Sequence, residues 1–236
     1  FLICCLPATL IAETKPAKPI PAANLTQQYV PSLVGLRIAL VVNQTSTIDQ
    51  KYLVDSLRSL GIHIEKIFAP EHGFRGNIDA GATVLSSIDS LTCISIVSLY
   101  GDHKKPTADD VKDVDVLLFD IQDVGVRFYT FISSLQYYLE AALEFHKPLL
   151  ILDRPNPNGF YVDGPVLNMK FKSFVGMQPV PIVYGMTIGE YAMMLAGEKW
   201  LSPQANAINS YNTTTQPTND TPFHFLVIKC KGYDHA

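Results

Sequence analysis

The chain has 236 residues, of which 47% are hydrophobic and 17% are charged, and its formal net charge is -4. Such a composition is typical of a folded globular protein rather than a disordered one, and the length suffices for one large or two small domains. The acidic balance and the absence of any run of Lys or Arg argue against nucleic acid as a partner.

The beginning of the chain predicts an export signal. Residues 1–11 are apolar, and residues 13–23 are rich in Pro, Ala and Lys. This pattern is typical of the end of a signal peptide followed by a flexible spacer, and a core strand of the mature domain is the alternative. We therefore expect a periplasmic or extracellular protein. Cys4 and Cys5 leave a lipid anchor open, and no later stretch is long and apolar enough to be a transmembrane segment.

Alternating strand and helix patterns predict an α/β fold, a parallel sheet with helices on both faces. The predicted strands are 36–42, 62–68, 94–99, 114–119 and 148–152, and the predicted helices are 47–60, 106–113, 129–145 and 187–199. Thr187 and Glu190 form a capping-box pattern at the start of the last helix. A polar segment at 202–221 and a strand pattern at 223–229 follow. We therefore divide the chain into a leader (1–23), a main domain (24–200) and a linker with the start of a truncated second domain (201–236).

Polar residues come directly after four of the predicted strands. They are Asn43; Glu71 and His72; Asp120, Gln122 and Asp123; and Asp153 and Arg154. The carboxyl ends of parallel strands lie at one edge of a sheet, which is where ligands bind in this class of fold. The sequence therefore predicts an active site at that edge.

Several common catalytic motifs are absent from the sequence. It has no Gly-x-Gly-x-x-Gly turn, no phosphate-binding loop, no His-Glu-x-x-His helix and no Gly-x-Ser-x-Gly elbow. A nucleotide-binding protein, a zinc peptidase and an ordinary serine hydrolase are therefore poorly supported, and no metal site is predicted.

The carboxylates at the strand ends are the best candidates for catalysis. Glu71 follows an apolar strand, where burial raises a carboxyl pKa and suits it to act as a general acid. The alternative is that Glu71 only caps the next turn. Asp120 or Asp123 could serve as base, nucleophile or stabiliser. The other of the two carboxylates could then hold Arg127. Alternatively, Asp123 caps the helix that starts near residue 129.

Basic and amide side chains beside these carboxylates suit a polar, anionic substrate. Arg127 and Arg154 present planar forks that fit a carboxylate, although each could instead form a structural ion pair with Asp123 or Asp153. Asn43 and Asn156 could bond sugar hydroxyls or an amide, although Asn156 lies in a turn-forming sequence.

Four motifs contain these residues. They are Val41-Val42-Asn43-Gln44-Thr45-Ser46, Phe68-Ala69-Pro70-Glu71-His72-Gly73-Phe74-Arg75-Gly76, Asp120-Ile121-Gln122-Asp123-Val124-Gly125-Val126-Arg127-Phe128-Tyr129-Thr130 and Asp153-Arg154-Pro155-Asn156-Pro157. Together they resemble the bacterial exo-β-N-acetylmuramidases of the NamZ type, formerly described as a domain of unknown function. The likeness extends from about residue 25 to about residue 200.

The resemblance implies a Rossmann-like catalytic domain joined to a C-terminal domain, with the site in a cleft between them. It implies the release of N-acetylmuramic acid from the non-reducing ends of peptidoglycan fragments, with Glu71 of the Pro-Glu-His-Gly motif as the acid. Glycoside cleavage by carboxylates needs no cofactor. The predicted contacts with muro-saccharides are Asn43, His72, Arg75, Gln122, Arg127, Tyr129, Arg154 and Asn156.

Two other functions stay open at this point. One is a non-catalytic module that binds cell-wall sugars, and the other is a muramyl lyase that uses the same pocket. Members of the family continue well beyond this length, so a chain of this extent is expected to bind substrate weakly or not to turn it over.

Overall fold

The computed structural model describes residues 18–70, 74–75, 87–99, 101–209 and 225–235. The strands in this part of the chain are β1 (Arg37–Val42), β2 (Thr47–Ile48), β3 (Lys51–Tyr52), β4 (His63–Ala69), β5 (Ser87–Ile88), β6 (Ser95–Ser98), β7 (Val116–Asp120), β8 (Leu149–Leu152) and β9 (Phe225–Ile228). The helices are α1 (Thr26–Leu33), α2 (Leu53–Ser59), α3 (Ala108–Val111), α4 (Phe131–Glu144), α5 (Ile188–Gly197) and α6 (Pro203–Ile208).

The main sheet has seven strands in the order β5-β6-β4-β1-β7-β8-β9. Every neighbouring pair is parallel except β5 and β6, which are antiparallel. When the six parallel strands are numbered along the chain, their order is 3-2-1-4-5-6. This is the strand order of the Rossmann fold, and it reverses direction between β1 and β7. The predicted α/β class is therefore confirmed.

Helices cover both faces of the sheet, as predicted. Side chains alternate between faces along a strand, so Ala39 and Val41 of β1 enter one core while Leu40 and Val42 enter the other. Helices α4 and α5 pack in the first core, and α1 and α2 pack in the second. Strands β7 and β8 are buried along their whole length, as expected for parallel strands that are covered on both sides.

Most predicted elements are confirmed, with ends that shift by one or two residues. The capping box at the start of α5 is also confirmed, because Thr187 Oγ1 accepts from the Glu190 amide and Glu190 accepts from the Thr187 amide. The helix predicted over 47–60 is partly wrong. Its first part is the hairpin of β2 and β3, and the helix begins only at Leu53. Ile48 and Tyr52 have helical spacing, but Asp49 adopts a positive φ of 52°, which turns the chain between the two short strands.

The last described strand belongs to the main sheet. The sequence pattern predicts a strand at 223–229, at the start of a second domain. In the structure, Phe225–Ile228 pairs in parallel with β8, and Leu152 lies opposite Ile228. Pairing with β8 buries part of this apolar strand against the same cores. The boundary placed after residue 200 stays a prediction.

No helix in the described ranges combines the length and the apolar run that crossing a lipid bilayer requires. No group of three or more His, Cys, Asp or Glu side chains in those ranges is close enough together to hold a metal ion.

Tyr138 on α4 provides a test of how polar groups are buried in this core. Its side chain is fully buried, and its hydroxyl has no hydrogen-bond partner within the described residues. Since an unpaired buried hydroxyl costs about 1–3 kcal/mol, Tyr138→Phe is expected to raise the free energy of unfolding by about 1 kcal/mol. The measurement is urea unfolding.

Tyr29 is the matched control for this substitution. It is equally buried, but its hydroxyl donates to the Ala23 carbonyl at 2.8 Å. Tyr29→Phe leaves that carbonyl unpaired and is expected to lower the free energy of unfolding by about 1 kcal/mol. A loss of stability in both variants would contradict the interpretation of Tyr138.

Candidate active site

The strand order changes direction between β1 and β7, and polar residues lie at the carboxyl ends of both strands. Val42 pairs with Asp120 across the two strands, so Asn43 comes beside the residues that follow β7. The chain leaves the two strands toward opposite halves of the sheet, which opens a crevice between the connecting loops. This crevice is the candidate active site that the sequence predicted.

Asn43 connects the two strand ends through a short chain of hydrogen bonds. Its Oδ1 accepts from the Thr45 amide at 2.9 Å and from Thr45 Oγ1 at 2.5 Å. Thr45 Oγ1 in turn accepts from the Gln122 amide at 3.0 Å, and Ser46 Oγ donates to the Asp120 carbonyl. These bonds fix the orientation of the Asn43 side-chain amide. Its Nδ2 is buried without a partner among the described residues.

A cavity of about 410 Å³ lies against these loops. Its lining combines amide, hydroxyl and aromatic groups, a mixture usual for pockets that bind small polar ligands. The lining residues are Gln44, Thr45, Gln122, Val124, Phe128, Tyr129, Thr130 and Phe131. Phe128 and Tyr129 are more than half exposed. Two predicted contact residues, Gln122 and Tyr129, therefore line one cavity.

Asp120 and Arg154 form a buried ion pair with each other. Arg154 Nε donates to Asp120 Oδ1 at 2.6 Å, and Nη2 donates to Oδ2 at 2.9 Å and to the Thr47 carbonyl at 3.0 Å. Asp120 is fully buried and Arg154 is 6% exposed. Burial raises the pKa of Asp120, and the guanidinium of Arg154 opposes that shift. The sequence favoured a substrate contact for Arg154 and gave an ion pair with Asp123 or Asp153 as the alternative; the structure shows an ion pair, but with Asp120.

Asp153 has a different role from the predicted ion pair. Its Oδ2 accepts from Thr187 Oγ1 at 2.7 Å, and its Oδ1 accepts from the Gly189 amide at 2.9 Å. It therefore binds the first turn of α5, where free amides favour a carboxylate.

Asp123 is buried without a cation among the described residues. Its Oδ2 accepts from the Gly125 amide at 2.7 Å and from the Tyr184 hydroxyl, whereas its Oδ1 has no partner there. Burial raises the pKa of Asp123, and the Tyr184 hydroxyl and the backbone amides of Gly125 and Val124 lower it. The residue preceding α4 is Thr130, so Asp123 does not cap that helix, and that alternative is wrong.

In the described structure, the Arg127 guanidinium donates hydrogen bonds to backbone carbonyls rather than to a carboxylate. Its Nη1 donates to the Val180 carbonyl and, at 3.2 Å, to the Pro165 carbonyl. Its own amide donates to the Ile182 carbonyl at 2.8 Å. The residue thus braces the segment before α5 against the loop after β7, and its half-buried guanidinium pairs with no carboxylate in the described ranges.

Asn156 is a turn residue in this structure. It is 6% exposed, its Oδ1 accepts from the Asn158 amide at 2.8 Å, and its Nδ2 donates to the Met186 carbonyl at 2.8 Å. Both polar atoms of the side chain are therefore used within the protein. This geometry favours the turn interpretation over a substrate contact.

Arg75 is also engaged within the protein. Its Nε and Nη2 donate to the two carboxylate oxygens of Asp89, each at 2.8 Å, and its Nη1 lies 3.6 Å from Asp55 Oδ2. The guanidinium lies over the rings of Tyr52 and Phe74. No contact in the described residues joins Arg75 to Asp120 or Asp123.

Glu71 and His72 lie outside the described residues. Their assignments as acid and as substrate contact stay predictions that rest on their place after β4. Sequence reasoning missed Tyr184 and Thr45. Thr45 follows Asn43 by two residues, which is the spacing of a local Asn turn and could have indicated it. Tyr184 carries no such signal, because its partner Asp123 lies 61 residues away in the chain.

Gly125 allows the close packing around Asp123. It has a φ of +74°, and a Cβ atom there would lie 2.1 Å from Asn156 Oδ1. Gly125→Ala combines left-handed backbone strain with a side-chain clash, so we expect it to lower the free energy of unfolding by about 2–5 kcal/mol. Urea unfolding measures this change.

Gly61 is the matched control for Gly125. Its φ of +79° is similar, but no atom lies within 4 Å of an added Cβ. Gly61→Ala should therefore show only the backbone cost, about 1–2 kcal/mol. Equal losses in the two variants would refute the clash with Asn156.

Fold and site together define a Rossmann-like α/β protein with a pocket, lined by amide, hydroxyl and aromatic groups, at the point where the strand order reverses. The model of the family described as exo-beta-N-acetylmuramidase NamZ, N-terminal, matches residues 38–236. The chain belongs to this family, and the resemblance stated from its motifs is confirmed.

Three relatives show how far the likeness extends. Over 178 residues the chain is 46% identical to the peptidoglycan beta-N-acetylmuramidase NamZ of Bacillus subtilis (strain 168). This match covers 74% of this chain and 43% of the Bacillus protein. Crystal structures of two DUF1343-family proteins from Bacteroides fragilis NCTC 9343 align with TM-scores of 0.77 and 0.76 and identities of 42% and 33%. The two alignments cover 93% and 92% of this chain, and 54% and 51% of the respective Bacteroides chains. The chain thus spans about half the length of the relatives it matches.

Proposed function

We propose that this chain forms the Rossmann-like part of an exo-acting glycosidase that releases N-acetylmuramic acid from the non-reducing ends of peptidoglycan fragments. The observation that carries the proposal is the cavity of mixed polar and aromatic lining between the ends of β1 and β7, in a chain 46% identical to a peptidoglycan muramidase. A volume of about 410 Å³ falls in the range of pockets for small ligands, which suits one sugar unit at the end of a glycan.

The proposal assigns roles to two carboxylates. Glu71 is the general acid that protonates the leaving oxygen. Asp123 is the second carboxylate, acting as base, nucleophile or stabiliser. It is a better candidate than Asp120, because Arg154 binds both oxygens of Asp120 while Asp123 keeps one oxygen unpaired within the described residues. Asp120 and Arg154 then support the site by holding its loops.

The substrate contacts follow from the groups that N-acetylmuramic acid presents. Its lactyl carboxylate needs a cation, and Arg127 suits this role better than Arg154, whose guanidinium is already paired with a buried carboxylate. Its acetamido carbonyl needs a donor, and Asn43 Nδ2 is unpaired among the described residues. Gln122 and Tyr129 line the cavity and would contact the sugar ring.

A cell-wall substrate suits an exported protein. The apolar stretch at 1–11 and the Pro-rich spacer after it support export, and Cys4 or Cys5 would be the site of a lipid anchor. Cell fractionation tests this localisation. Recovery from the cytoplasm of protein that still carries residues 1–23 would contradict it.

Turnover of a chromogenic β-N-acetylmuramide tests the function, in this chain and in the longest natural form of the protein. We expect free N-acetylmuramic acid by mass spectrometry, and less release from the matching N-acetylglucosaminide, which lacks the lactyl group. Equal affinity for the two sugars would contradict the carboxylate contact. A product lighter by one water would indicate a lyase. Sugar binding without any release would indicate a binding module.

A further inference from the structure

The hydrogen bonds to the Asp123 side chain reach only one of its two carboxylate oxygens among the described residues. Its Oδ2 accepts two bonds, from the Tyr184 hydroxyl and from the Gly125 amide at 2.7 Å. Its Oδ1 is buried and has no partner among the described residues. Such an orphan oxygen is costly in a protein interior, and a hydroxyl or amide donor of a bound substrate would satisfy it. Gln122 and Val124, the two chain neighbours of Asp123, both line the cavity.

Tyr184 is itself rigidly placed. It is 3% exposed, and its ring centroid lies 5.6 Å from that of Tyr191 on α5. Val183 forms β-bridges with Val126 and Asp163, so the backbone beside Tyr184 is fixed to the loop that carries Asp123. The anchoring of Tyr184 therefore does not depend on its bond to Asp123.

We propose that Tyr184 is a positioning residue for the glycosidase reaction: its hydroxyl fixes Asp123 through Oδ2, which leaves Oδ1 without a partner among the described residues. This inference rests on the proposed function. It adds Tyr184, which lies outside the four sequence motifs that indicated the family. The Tyr184 hydroxyl also supports the anionic form of Asp123, because a donor bonded to a carboxylate favours its charged state against the effect of burial.

The other ionisable groups around Asp123 do not obscure a test by pH. Among the described residues, these groups are Tyr184, Tyr191 and Arg127. The charge of Arg127 acts on Tyr191, whose pKa it lowers. Burial, followed by the charge of Asp123, raises the pKa of both phenols, so both stay protonated over the acidic and neutral range. A shift of an acidic titration on removal of the Tyr184 hydroxyl would thus report on a carboxyl.

The experiment is the pH profile of kcat/KM for Tyr184→Phe with a chromogenic β-N-acetylmuramide. Loss of the hydroxyl raises the pKa of Asp123, so the acidic limb should move to higher pH by about one to two units. At the wild-type optimum, kcat/KM should fall about tenfold or more, and activity should partly recover as the pH is raised.

Two further variants separate positioning from general damage. Tyr138→Phe removes a buried hydroxyl away from the site and should leave the pH profile unchanged. Asp123→Asn removes the group through which Tyr184 acts, so adding Tyr184→Phe to it should change kcat/KM by less than about twofold. Thermal unfolding of each variant checks that it is folded.

Three results would overturn the proposal. One is an even loss of activity in Tyr184→Phe at every pH. Another is a loss as large in the Asp123→Asn background as in the wild type. The third is full activity of Asp123→Asn in a protein that Glu71→Gln inactivates, which would remove Asp123 and Tyr184 from the reaction while the glycosidase function stood.

Discussion

Glu71→Gln is expected to lower kcat by about 10²- to 10⁴-fold while KM changes little, because the amide keeps the size of the carboxyl but cannot deliver its proton. The size of the loss should depend on the leaving group. A nitrophenolate leaves with little help from an acid, whereas a sugar alcohol needs protonation. The loss should therefore be larger for a muramyl-glucosamine disaccharide than for a nitrophenyl muramide, and steady-state kinetics with both substrates measures it.

Glu65 provides the control for Glu71. It lies on β4, the strand that precedes Glu71 in the chain, as a partly exposed residue paired with His63 at 3.1 Å. Glu65→Gln removes one carboxylate from the same region and is expected to keep wild-type kcat with both substrates. Equal losses with the two leaving groups in Glu71→Gln would assign Glu71 a role other than acid, and wild-type turnover would remove it from the reaction.

Arg154→Met should produce the largest loss of stability among these substitutions. It leaves the fully buried carboxylate of Asp120 without its cation, and breaking a buried pair in this way costs about 3–5 kcal/mol. The surface pair of Arg37 and Asp115 has a similar two-pronged geometry, with Nη2 2.8 Å from Oδ1, but is solvated. Arg37→Met should therefore lower the free energy of unfolding far less than Arg154→Met does, as measured by urea unfolding.

The cost of Arg154→Met should also depend on pH. Without the guanidinium, the pKa of Asp120 in the folded state lies further above its unfolded value, because burial alone then acts on it. A raised folded pKa makes the folded protein bind more protons, so stability is retained in acid and lost as the pH rises through that pKa. The difference from wild type should be smaller at about pH 4 than at pH 7. A difference that grows in acid would contradict this.

A double variant completes the test of the ion pair. Asp120→Leu with Arg154→Met removes both charges and leaves no ion to desolvate. Such replacements are often close to neutral in stability, so the double variant should be more stable than Arg154→Met alone. A double variant that is less stable than the single one would mean that Asp120 contributes through contacts other than its ion pair.

Local sequence patterns were sufficient for most elements of the fold. Strands β7 and β8 are continuous apolar runs, and the start of α5 has its capping residues in place, so each was found from neighbouring residues alone. The predicted helix over 47–60 failed because Ile48 and Tyr52 have helical spacing but belong to a hairpin. The strand at 225–228 was found, but its partner β8 lies more than 70 residues earlier in the chain. No local pattern specifies a pairing at that distance.

The same distinction applies to the site. The polar residues after β1, β4, β7 and β8 were recognised because the strand ends of a parallel sheet share one edge. Their chemical roles were less predictable. Whether an arginine binds substrate or a buried carboxylate depends on what lies opposite it, and Arg154 lies opposite Asp120 rather than its chain neighbour Asp153.

By itself, then, the sequence determined the α/β class, the strand-end residues and the family, because these depend on periodicity and on motifs of adjacent residues. Only the tertiary structure decided that Arg154 pairs with Asp120, that Arg127 braces the segment before α5, and that Tyr184 holds Asp123. Each of these contacts joins residues 34 or more positions apart. Such contacts are set by how the loops meet at the sheet edge, because this decides which carboxylate lies opposite a guanidinium and which keeps an unpaired oxygen within the described residues.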